Sequence, residues 1–296
     1  MWQRDFVGYG SKPPKVEWPH GKRLVLQIAV NYEAAGERNI LSGDKGPEMF
    51  GGEIPGYGPI TDRDLSMETV FEYESRVAIW RILDLLDKYN IKTTFFAVAK
   101  ALEASPEAAK AIVERGHEIC CHGYRWIEHF RLTREEEAEE IRKGIALTKK
   151  MTGRRPLGWY CREPSANTVE LVAEEGGFLY DADLCNDDLP YYVKVKGSKK
   201  FLIVPYTLDA NDFNYLLNRF ATSEEFFQYL KDSLDYMRQE AKTNGKMMSV
   251  GIHVRVSGRP GRTVGLERFL SYAKSFDDVW IARRIDITKW WLKNIH

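Results

Sequence analysis

The chain has 296 residues, and its hydrophobic share of 44% is enough for one large core or for two ordinary domains. Lysine plus arginine and aspartate plus glutamate both number 43, so no net charge recruits nucleic acid or an anionic membrane. The N-terminal residues lack the continuous apolar run of a signal peptide, and no segment approaches the roughly 18 uncharged apolar residues of a membrane span. We therefore expect a cytoplasmic protein that acts on a small, nearly neutral molecule.

The first part of the chain predicts an arm, a strand and a long loop. Residues 1–22 are rich in proline, glycine and aromatic side chains, which is typical of an ordered arm lying on the surface or on a neighbouring subunit. The apolar stretch 24–31 predicts the first strand, which leads into Asn31 and Glu33. Residues 34–65 are rich in glycine and show little periodicity, and a connection of this length indicates a functional loop or lid.

The remaining chain alternates predicted strands and helices. The strands are predicted at residues 92–99, 117–122, 156–161, 178–185, 201–212 and 246–254. The helices are predicted from Ser66 onward and at residues 106–114, 133–151, 167–175, 224–242 and 264–276. About seven strands in such alternation indicate a parallel, barrel-like α/β fold, and the lack of a repeat or linker favours a single domain over residues 1–296.

Polar side chains follow the ends of several predicted strands. They are Asn31 and Glu33, His122, Arg162 and Glu163, and His253, with Asp187 and Asp188, and Asp209, Asn211 and Asp212, at two further strand ends. In parallel α/β folds these ends converge on one face, where ligands bind and chemistry takes place. Hydrolysis there needs a base, a proton donor and a group that holds an anionic oxygen. Glu33 or His122 could be a ligand or the base. His253 could be the general acid and Arg162 the oxygen holder.

Each of these residues also has a purely structural interpretation. His122 and His253 could be buried histidines bonded to backbone carbonyls. Asp187 and Asp188 could merely cap a turn. Trp126 could belong to the core rather than to a substrate platform. The residue types and their positions leave these alternatives open.

Five stretches of the chain resemble known sequence motifs. They read NYEAAGE, GHEICCHGYRWIEH, RRPLGWYCREPSANT, GFLYDADLCNDDLPYY and MMSVGIHVRVSGRPGR. Together they resemble the polysaccharide deacetylase superfamily and, within it, the cofactor-independent allantoinase branch of bacterial urate catabolism. The resemblance runs from about residue 5 to about residue 290. It implies a distorted, incomplete (β/α) barrel that hydrolyses amide C–N bonds.

The superfamily usually holds a divalent metal with one aspartate and two histidines, and this chain departs from that pattern. The resemblance places Asn31 at the usual base and Glu33 at the metal-binding aspartate. It places His122 at the first metal histidine and Trp126 at the second. Asparagine cannot act as the base, and the indole N–H is only a donor. Glu33 and His122 fall short of a catalytic zinc site unless His129 or an aspartate completes it. We therefore expect no cofactor, with zinc or manganese as the alternative.

A second departure concerns the pocket wall. Where the allantoinase branch has Gly-Trp-Tyr-Thr-Gly-Arg-x-Ser, residues 158–165 read Gly-Trp-Tyr-Cys-Arg-Glu-Pro-Ser. The arginine has moved one place earlier, to Arg162, or is replaced by Glu163. A changed wall can alter the accepted substrate while the ring-opening chemistry is kept.

The sequence as a whole predicts a hydrolase of a cyclic amide C–N bond, with allantoin opening to allantoate as the leading hypothesis. The predicted catalytic residues are Glu33, His122 and His253, and the predicted substrate-binding residues are Asn31, Trp126, Arg162, Glu163, Asp187 and Asp188. The alternatives are a metal-dependent N-deacetylase of amino sugars or peptidoglycan, a cyclic imide hydrolase and a catalytically inactive binding barrel. The arm and the long loop suggest a homo-oligomer, for example a tetramer, in which subunits complete one another's pockets.

Overall fold

The structure, a computed structural model, describes residues 4–53, 60–195 and 200–295. Residues 1–3 of the predicted arm and 54–59 of the predicted loop lie outside this description. The strands of the described part are, in chain order, β1 (Leu24–Tyr32), β2 (Thr94–Ala97), β3 (Glu118–Cys121), β4 (Gly158–Trp159), β5 (Tyr180–Asp181), β6 (Tyr191–Lys194), β7 (Lys200–Ile203), β8 (Lys246–His253) and β9 (Val279–Ala282).

The helices of the described part are α1 (Leu65–Tyr73), α2 (Ile79–Lys88), α3 (Ala99–Ala104), α4 (Pro106–Glu114), α5 (Arg134–Thr152), α6 (Thr168–Glu175), α7 (Ser223–Glu240), α8 (Val254–Ser257), α9 (Pro260–Lys274) and α10 (Arg284–Asn294). A π-helical turn, Glu74–Ala78, joins α1 to α2. The predicted start at Ser66 is one residue late, because the Asp64 side chain caps α1 by accepting from the Met67 N–H. None of these helices has the length and apolar character needed to cross a membrane.

The sheet is curled and open. Its order is β6-β7-β5-β4-β3-β2-β1-β8, and its neighbours are parallel except for β6 and β7. β8 pairs with one edge of β1 from Leu24 to Asn31, whereas β9 and β2 share the other edge. Beyond β7, a bridge between Asn211 and Gly251 joins the chain to β8. This half-barrel confirms the distorted, incomplete barrel that the resemblance implied.

The described part contains nine strands, more than the about seven expected from the alternation of the sequence. The additional strands, β6 and β9, have four residues each and lie at the margins of the sheet. β6 pairs with β7 in an antiparallel hairpin, and its residues are only half-buried or exposed. Such a short segment lacks the continuous apolar run that identified the inner strands. The single domain over residues 1–296 stays a prediction.

The alternation along β1 directs site residues into the half-barrel. All nine residues of β1 are buried, because helices cover one face and the barrel interior the other. Ile28 packs in the cluster that includes the outer helices, whereas Val25 and Ala29 pack in the interior cluster. Successive side chains of a strand point to opposite faces. Asn31 therefore points into the interior, and Glu33 follows at the carboxyl end of the strand.

The described part of the arm lies on its own chain, at the amino end of the strands. Trp18 is buried, and its Nε1 donates to the Lys246 carbonyl at 2.8 Å, where β8 begins. The Trp18 ring packs on those of Trp290 and Trp291, with centroids 4.6 and 6.0 Å apart. Aromatic side chains therefore cover the end of the half-barrel opposite to the candidate site.

Candidate active site

A tight turn fixes Glu33 at the carboxyl end of β1. The Gly36 N–H donates to the Glu33 carbonyl at 3.0 Å, and Ala35 has a φ of 57°, a left-handed conformation uncommon outside glycine. A Cβ atom at Gly36 would lie 2.6 Å from the Val98 side chain, so the turn requires glycine there. The Glu33 N–H donates to Glu74 Oε1 at 2.9 Å. The position of Glu33 is thus set by its backbone on both sides.

Three basic side chains surround the Glu33 carboxylate. Oε1 lies 3.0 Å from His122 Nε2 and 3.8 Å from His253 Nε2, and Oε2 accepts from Arg255 Nη1. Burial alone would raise the pKa of Glu33, but Arg255 and His253 outweigh burial and hold this pKa well below its ordinary value. Glu33 is therefore ionised at neutral pH.

His122 directly follows β3 and is fully enclosed. Burial lowers the pKa of its imidazole, so the ring is neutral at neutral pH. Because the Glu33 carboxylate only accepts, His122 Nε2 carries the proton and Nδ1 carries the lone pair. In the described part of the chain, Nδ1 has no hydrogen-bond partner. His122 is thus a neutral donor to Glu33.

His253 ends β8 and is held by Asp212. The Oδ1 of Asp212 lies 2.7 Å from His253 Nδ1, and its Oδ2 accepts from the His253 N–H at 2.8 Å and the Ser257 hydroxyl at 2.6 Å. Asp212 accepts the proton of Nδ1, which leaves Nε2 as the ring nitrogen that faces Glu33. Such an imidazole can take up a proton and return it. Asp212 carries no sequence signal beyond its place after a strand.

Two more buried charged residues belong to this cluster and were not predicted. Arg255 lies two residues after His253 and donates to Glu33, and its Nη1 is 3.7 Å from Glu74 Oε2. Burial raises the pKa of Glu74 to about 8, so this carboxyl is mostly protonated at neutral pH. Arg255 interrupts an apolar run, and Glu74 lies three residues after the buried Phe71 on the same helical face. These two signals could have revealed them.

Asn31 is fixed in the interior through its side-chain amide. Its Nδ2 donates to the Ile252 carbonyl at 3.1 Å and to the Tyr206 hydroxyl at 2.9 Å. The buried Oδ1 finds no partner among the described residues. This oxygen can accept an N–H of a neutral ligand, which suits the predicted binding role. Tyr206 was not predicted from the sequence.

Trp126 and Arg162 form a wall joined to the long loop. The guanidinium of Arg162 stacks on the Trp126 ring, 3.9 Å from its centroid. Nη1 of Arg162 donates to Glu48 at 2.7 Å, and Nη2 lies 3.4 Å from Glu128. These carboxylates engage the donors that were predicted to hold an anionic oxygen. The structure therefore places Arg162 in the wall of the site.

Three predicted substrate-binding residues are not joined to the Glu33 cluster by hydrogen bonds in the described structure. Glu163 is exposed and has a φ of 50°. Asp187 and Asp188 line a groove of about 650 Å³ that Tyr206 also lines. Asp187 accepts from the Leu189 N–H at 3.0 Å, which is the turn-capping role weighed as its alternative.

His129, the candidate to complete a metal site, belongs to another network. Its Nδ1 lies 3.2 Å from Glu137 Oε1, and the hydroxyls of Ser165 and Thr168 donate to the same carboxylate. This carboxylate holds the buried ring of His129 against Trp159. Among the residues that the structure describes, no three histidine, cysteine, aspartate or glutamate side chains are grouped closely enough to hold a metal ion.

Comparison with known proteins identifies the family. Residues 63–176 match the family Polysaccharide deacetylase. A Schizosaccharomyces pombe protein assigned to the polysaccharide deacetylases is 36% identical over 309 aligned residues, which cover 97% of this chain and 96% of the relative. The chain belongs to the polysaccharide deacetylase family.

Two solved structures resemble this polysaccharide deacetylase family member over its whole length. A Pseudomonas aeruginosa PAO1 protein assigned as a polysaccharide deacetylase is 45% identical, with a TM-score of 0.96 and 99% of both chains covered. PuuE allantoinase is also 45% identical, with a TM-score of 0.97 and coverage of 100% of this chain and 99% of that chain. A peptidoglycan deacetylase of Helicobacter pylori is 35% identical over 48% of each chain. The protein is a hydrolase of polysaccharide deacetylase type, and these names leave its substrate undecided.

The described residues do not fit the metal that is usual in the polysaccharide deacetylase family. Of the positions that the resemblance assigns to it, Glu33 and His122 are bonded to each other, and Trp126 offers no lone pair. The other oxygen of Glu33 already accepts from Arg255. A divalent cation at this carboxylate would meet the guanidinium charge at short range.

Proposed function

We propose that this protein hydrolyses the ring amide of a cyclic ureide without a metal, and that its reaction is the opening of allantoin to allantoate. The observation that carries the proposal is the His253 imidazole, held by Asp212 with its Nε2 3.8 Å from the ionised Glu33 carboxylate. This arrangement supplies a proton acceptor and a proton donor from side chains alone. The 45% identity to PuuE allantoinase over the whole chain supports the choice of substrate.

In the proposed mechanism, His253 performs both proton transfers. Its Nε2 takes a proton from water as the water oxygen adds to the ring carbonyl carbon. Asp212 accepts from Nδ1–H and, with Glu33 nearby, stabilises the imidazolium. Nε2–H then gives the proton to the ring nitrogen as the C–N bond breaks. The products of this cleavage are a carboxyl group and an opened ureido arm.

Glu33 and His122 take a supporting part in this mechanism rather than the part of base that the sequence suggested. A carboxylate whose pKa lies far below its ordinary value is a weak base. The buried, neutral His122 uses its Nε2–H on Glu33, so that nitrogen cannot accept a proton. Together they fix a negative charge beside the imidazolium of His253.

The Asn31 side chain in the interior suits a neutral ureide. Such a substrate carries several N–H donors, and the Asn31 Oδ1 is a buried acceptor that finds no partner in the described residues. Asparagine also stays uncharged at every pH, so it demands no counter-ion in the substrate. The Trp126 indole is buried in the core cluster and stacked on Arg162, so it supports the wall from behind, which is the core alternative weighed for it in the sequence.

A second candidate is a metal-dependent N-deacetylase of amino sugars or peptidoglycan. The names of the Schizosaccharomyces pombe and Helicobacter pylori relatives favour it. This alternative requires a divalent metal and releases acetate, whereas ring opening releases nothing. A cyclic imide hydrolase would use the same groups on a different ring, and an inactive binding barrel would bind such ligands without turnover.

The test is allantoate formation from allantoin by the purified protein, in parallel with and without exhaustive chelation. Turnover that survives chelation is the expected result. Acetate release from N-acetylated sugars that depends on added zinc or manganese would establish the second candidate instead. Turnover of a cyclic imide but not of allantoin would replace the substrate while keeping the mechanism, and tight binding without turnover of any cyclic amide would contradict the proposal altogether.

The assembly and the location stay predictions. Light scattering at micromolar concentration tests the expected homo-oligomer, and a monomer would contradict it. Fractionation of the native cells tests the expected cytoplasmic location.

A further inference from the structure

Arg255 is the cation that the Glu33 carboxylate contacts at its Oε2 atom. It lies in the first turn that follows β8, so the strand that ends in His253 also delivers this charge. Only 1% of its surface is exposed. A guanidinium buried this deeply requires a fixed anionic partner and further contacts to offset its loss of water.

The surroundings of Arg255 supply these contacts. Its Nε donates to the Gly51 carbonyl of the long loop at 3.1 Å. The guanidinium carbon lies 4.6 Å from the centroid of the Phe71 ring and 5.0 Å from that of Trp126. Cation–π contacts of this kind are strengthened when both groups are removed from water. Arg255 is therefore a built-in component of the site and not an incidental surface charge.

The positions of Glu33 and Trp126 link the Arg255 guanidinium to the absence of a fitting metal site. The resemblance assigns both positions to ligands of a divalent metal. Here the Glu33 carboxylate accepts from a guanidinium, and the Trp126 indole, which cannot ligate, packs on the same guanidinium. Two cations cannot share one carboxylate without strong mutual repulsion in a buried site.

We infer that the Arg255 guanidinium takes the place of the divalent metal as the fixed positive charge on Glu33, and that Trp126 is part of the binding site for this guanidinium. The inference rests on the metal-free mechanism proposed above and extends it. It assigns Arg255 as a positioning residue, which keeps Glu33 ionised and in place beside His253. It also states that Trp126 and Arg255 each suffice to exclude the metal, so that only the replacement of both restores metal binding.

A consequence separates this inference from the simple loss of a metal ligand. Restoring the ligand by Trp126→His leaves Glu33 occupied by Arg255, so zinc still does not bind. Removing the guanidinium as well, in W126H/R255M, leaves Glu33, His122 and the new imidazole for the metal. Three such protein ligands are what a catalytic zinc site needs.

The experiment measures zinc per chain after dialysis, by elemental analysis and by titration calorimetry, for the wild type, W126H, R255M and W126H/R255M. We expect about one zinc per chain for W126H/R255M alone. The matched control is W126H/R284M, because Arg284 is also fully buried but donates to backbone carbonyls. Circular dichroism first establishes that each variant is folded. Full loading of W126H alone or of W126H/R284M, or no loading of folded W126H/R255M, would overturn the inference.

A second measurement keeps the inference testable if W126H/R255M does not fold. In Arg255→Ala, millimolar guanidinium should occupy the vacated place, raise the melting temperature and restore part of the turnover. The same concentration should not stabilise the wild type. The absence of any guanidinium effect on Arg255→Ala would contradict the inference. Zinc loading and melting temperature need no substrate, so these results stand apart from the outcome with allantoin.

Discussion

Two arginines of the described chain, Arg255 and Arg284, are fully buried, and each lies two residues after the end of a strand, β8 or β9. Arg255 donates to the Glu33 carboxylate. Arg284 instead donates to the carbonyls of Val204 and Pro205, beyond β7, and to the Ser249 hydroxyl on β8. Arg284 therefore bridges the gap between the chain after β7 and strand β8, which we call the seam of the half-barrel. Arg255 instead places a positive charge in the candidate site.

The partners of the two arginines explain their different electrostatics. Burial opposes the positive charge of both. For Arg255, the neighbouring carboxylates outweigh burial and raise the pKa above its ordinary value. For Arg284, burial dominates and lowers the pKa. The same residue type at similar depth thus serves chemistry where it meets a carboxylate and serves the fold where it meets backbone carbonyls.

The largest expected effect is on catalysis at the carboxyl end of β8. His253→Ala removes the proposed proton carrier, so kcat should fall about 1000-fold, equivalent to about 4 kcal/mol of transition-state stabilisation. The free energy of unfolding should fall by about 1–3 kcal/mol, because the buried Asp212 Oδ1 loses its donor, while the variant stays folded. Steady-state kinetics and urea unfolding measure the two quantities.

Ser249→Ala is the matched control on the same strand. It alters a hydroxyl that accepts from Arg284 and donates to the Pro205 carbonyl, both at the seam. Its kcat should equal that of the wild type. Near-normal kcat in His253→Ala would refute the role given to His253. A large loss of kcat in Ser249→Ala would show that the contacts at the seam also affect catalysis.

The next effect is on stability at the seam. Arg284→Met leaves the carbonyls of Val204 and Pro205 buried without their donors, which should lower the free energy of unfolding by about 3 kcal/mol. The folded fraction should keep its kcat at a temperature well below the melting transition. Urea unfolding and kinetics on the same preparation decide the matter. A variant of normal stability with lost kcat would show that Arg284 acts on the site.

The fold could be predicted from the sequence because most of its strands lie within longer, mainly apolar stretches that alternate with helical patterns. β1 and β8, with nine and eight residues, are the longest of the described strands, and they form the longest pairing of the sheet. β6 and β9 were missed because a short marginal strand depends on its pairing partner and not on its own pattern. Local pattern therefore predicted the interior of the sheet better than its edges.

Site residues could be predicted only where they directly follow a strand, because the carboxyl ends of parallel strands lie at the same edge of the sheet. Glu33, His122 and His253 follow strand ends, and the structure brings them together. Arg255 was missed, and Asp212 was noted only as a polar residue at a strand end, because the roles of both depend on partners set by the tertiary fold. Arg162 was placed correctly after its strand, yet its donors meet Glu48 and Glu128, which no local pattern reveals.

A smaller effect should appear in the pH dependence of stability. The pKa of Glu74 rises from an ordinary value of 4.5 in the unfolded chain to about 8 in the folded one. Between these values the folded chain binds more protons at this site than the unfolded chain. The free energy of unfolding therefore falls as pH rises through this window, and the cost is fully present above it.

Glu74→Gln removes this titration while keeping the acceptor for the Glu33 N–H. At about pH 9 the variant should be more stable than the wild type, and the gain should be far smaller at about pH 4. Urea unfolding across this range measures the difference. A gain that is the same at both pH values would show that Glu74 does not titrate as described.

The smallest effect should be on KM and concerns the long loop, residues 34–65, that contacts the wall of Trp126 and Arg162. Glu48 of this loop pairs with Arg162, which stacks on Trp126. Glu48→Gln keeps an acceptor but loses the charge, so KM should rise about fivefold, near 1 kcal/mol, with kcat little changed. Glu53→Gln is the control, because Glu53 lies in the same loop but pairs with the partly exposed Arg262 of α9. If both variants raise KM equally, the loop acts through its general mobility; if only Glu48→Gln does, the wall and the loop form one substrate-binding surface.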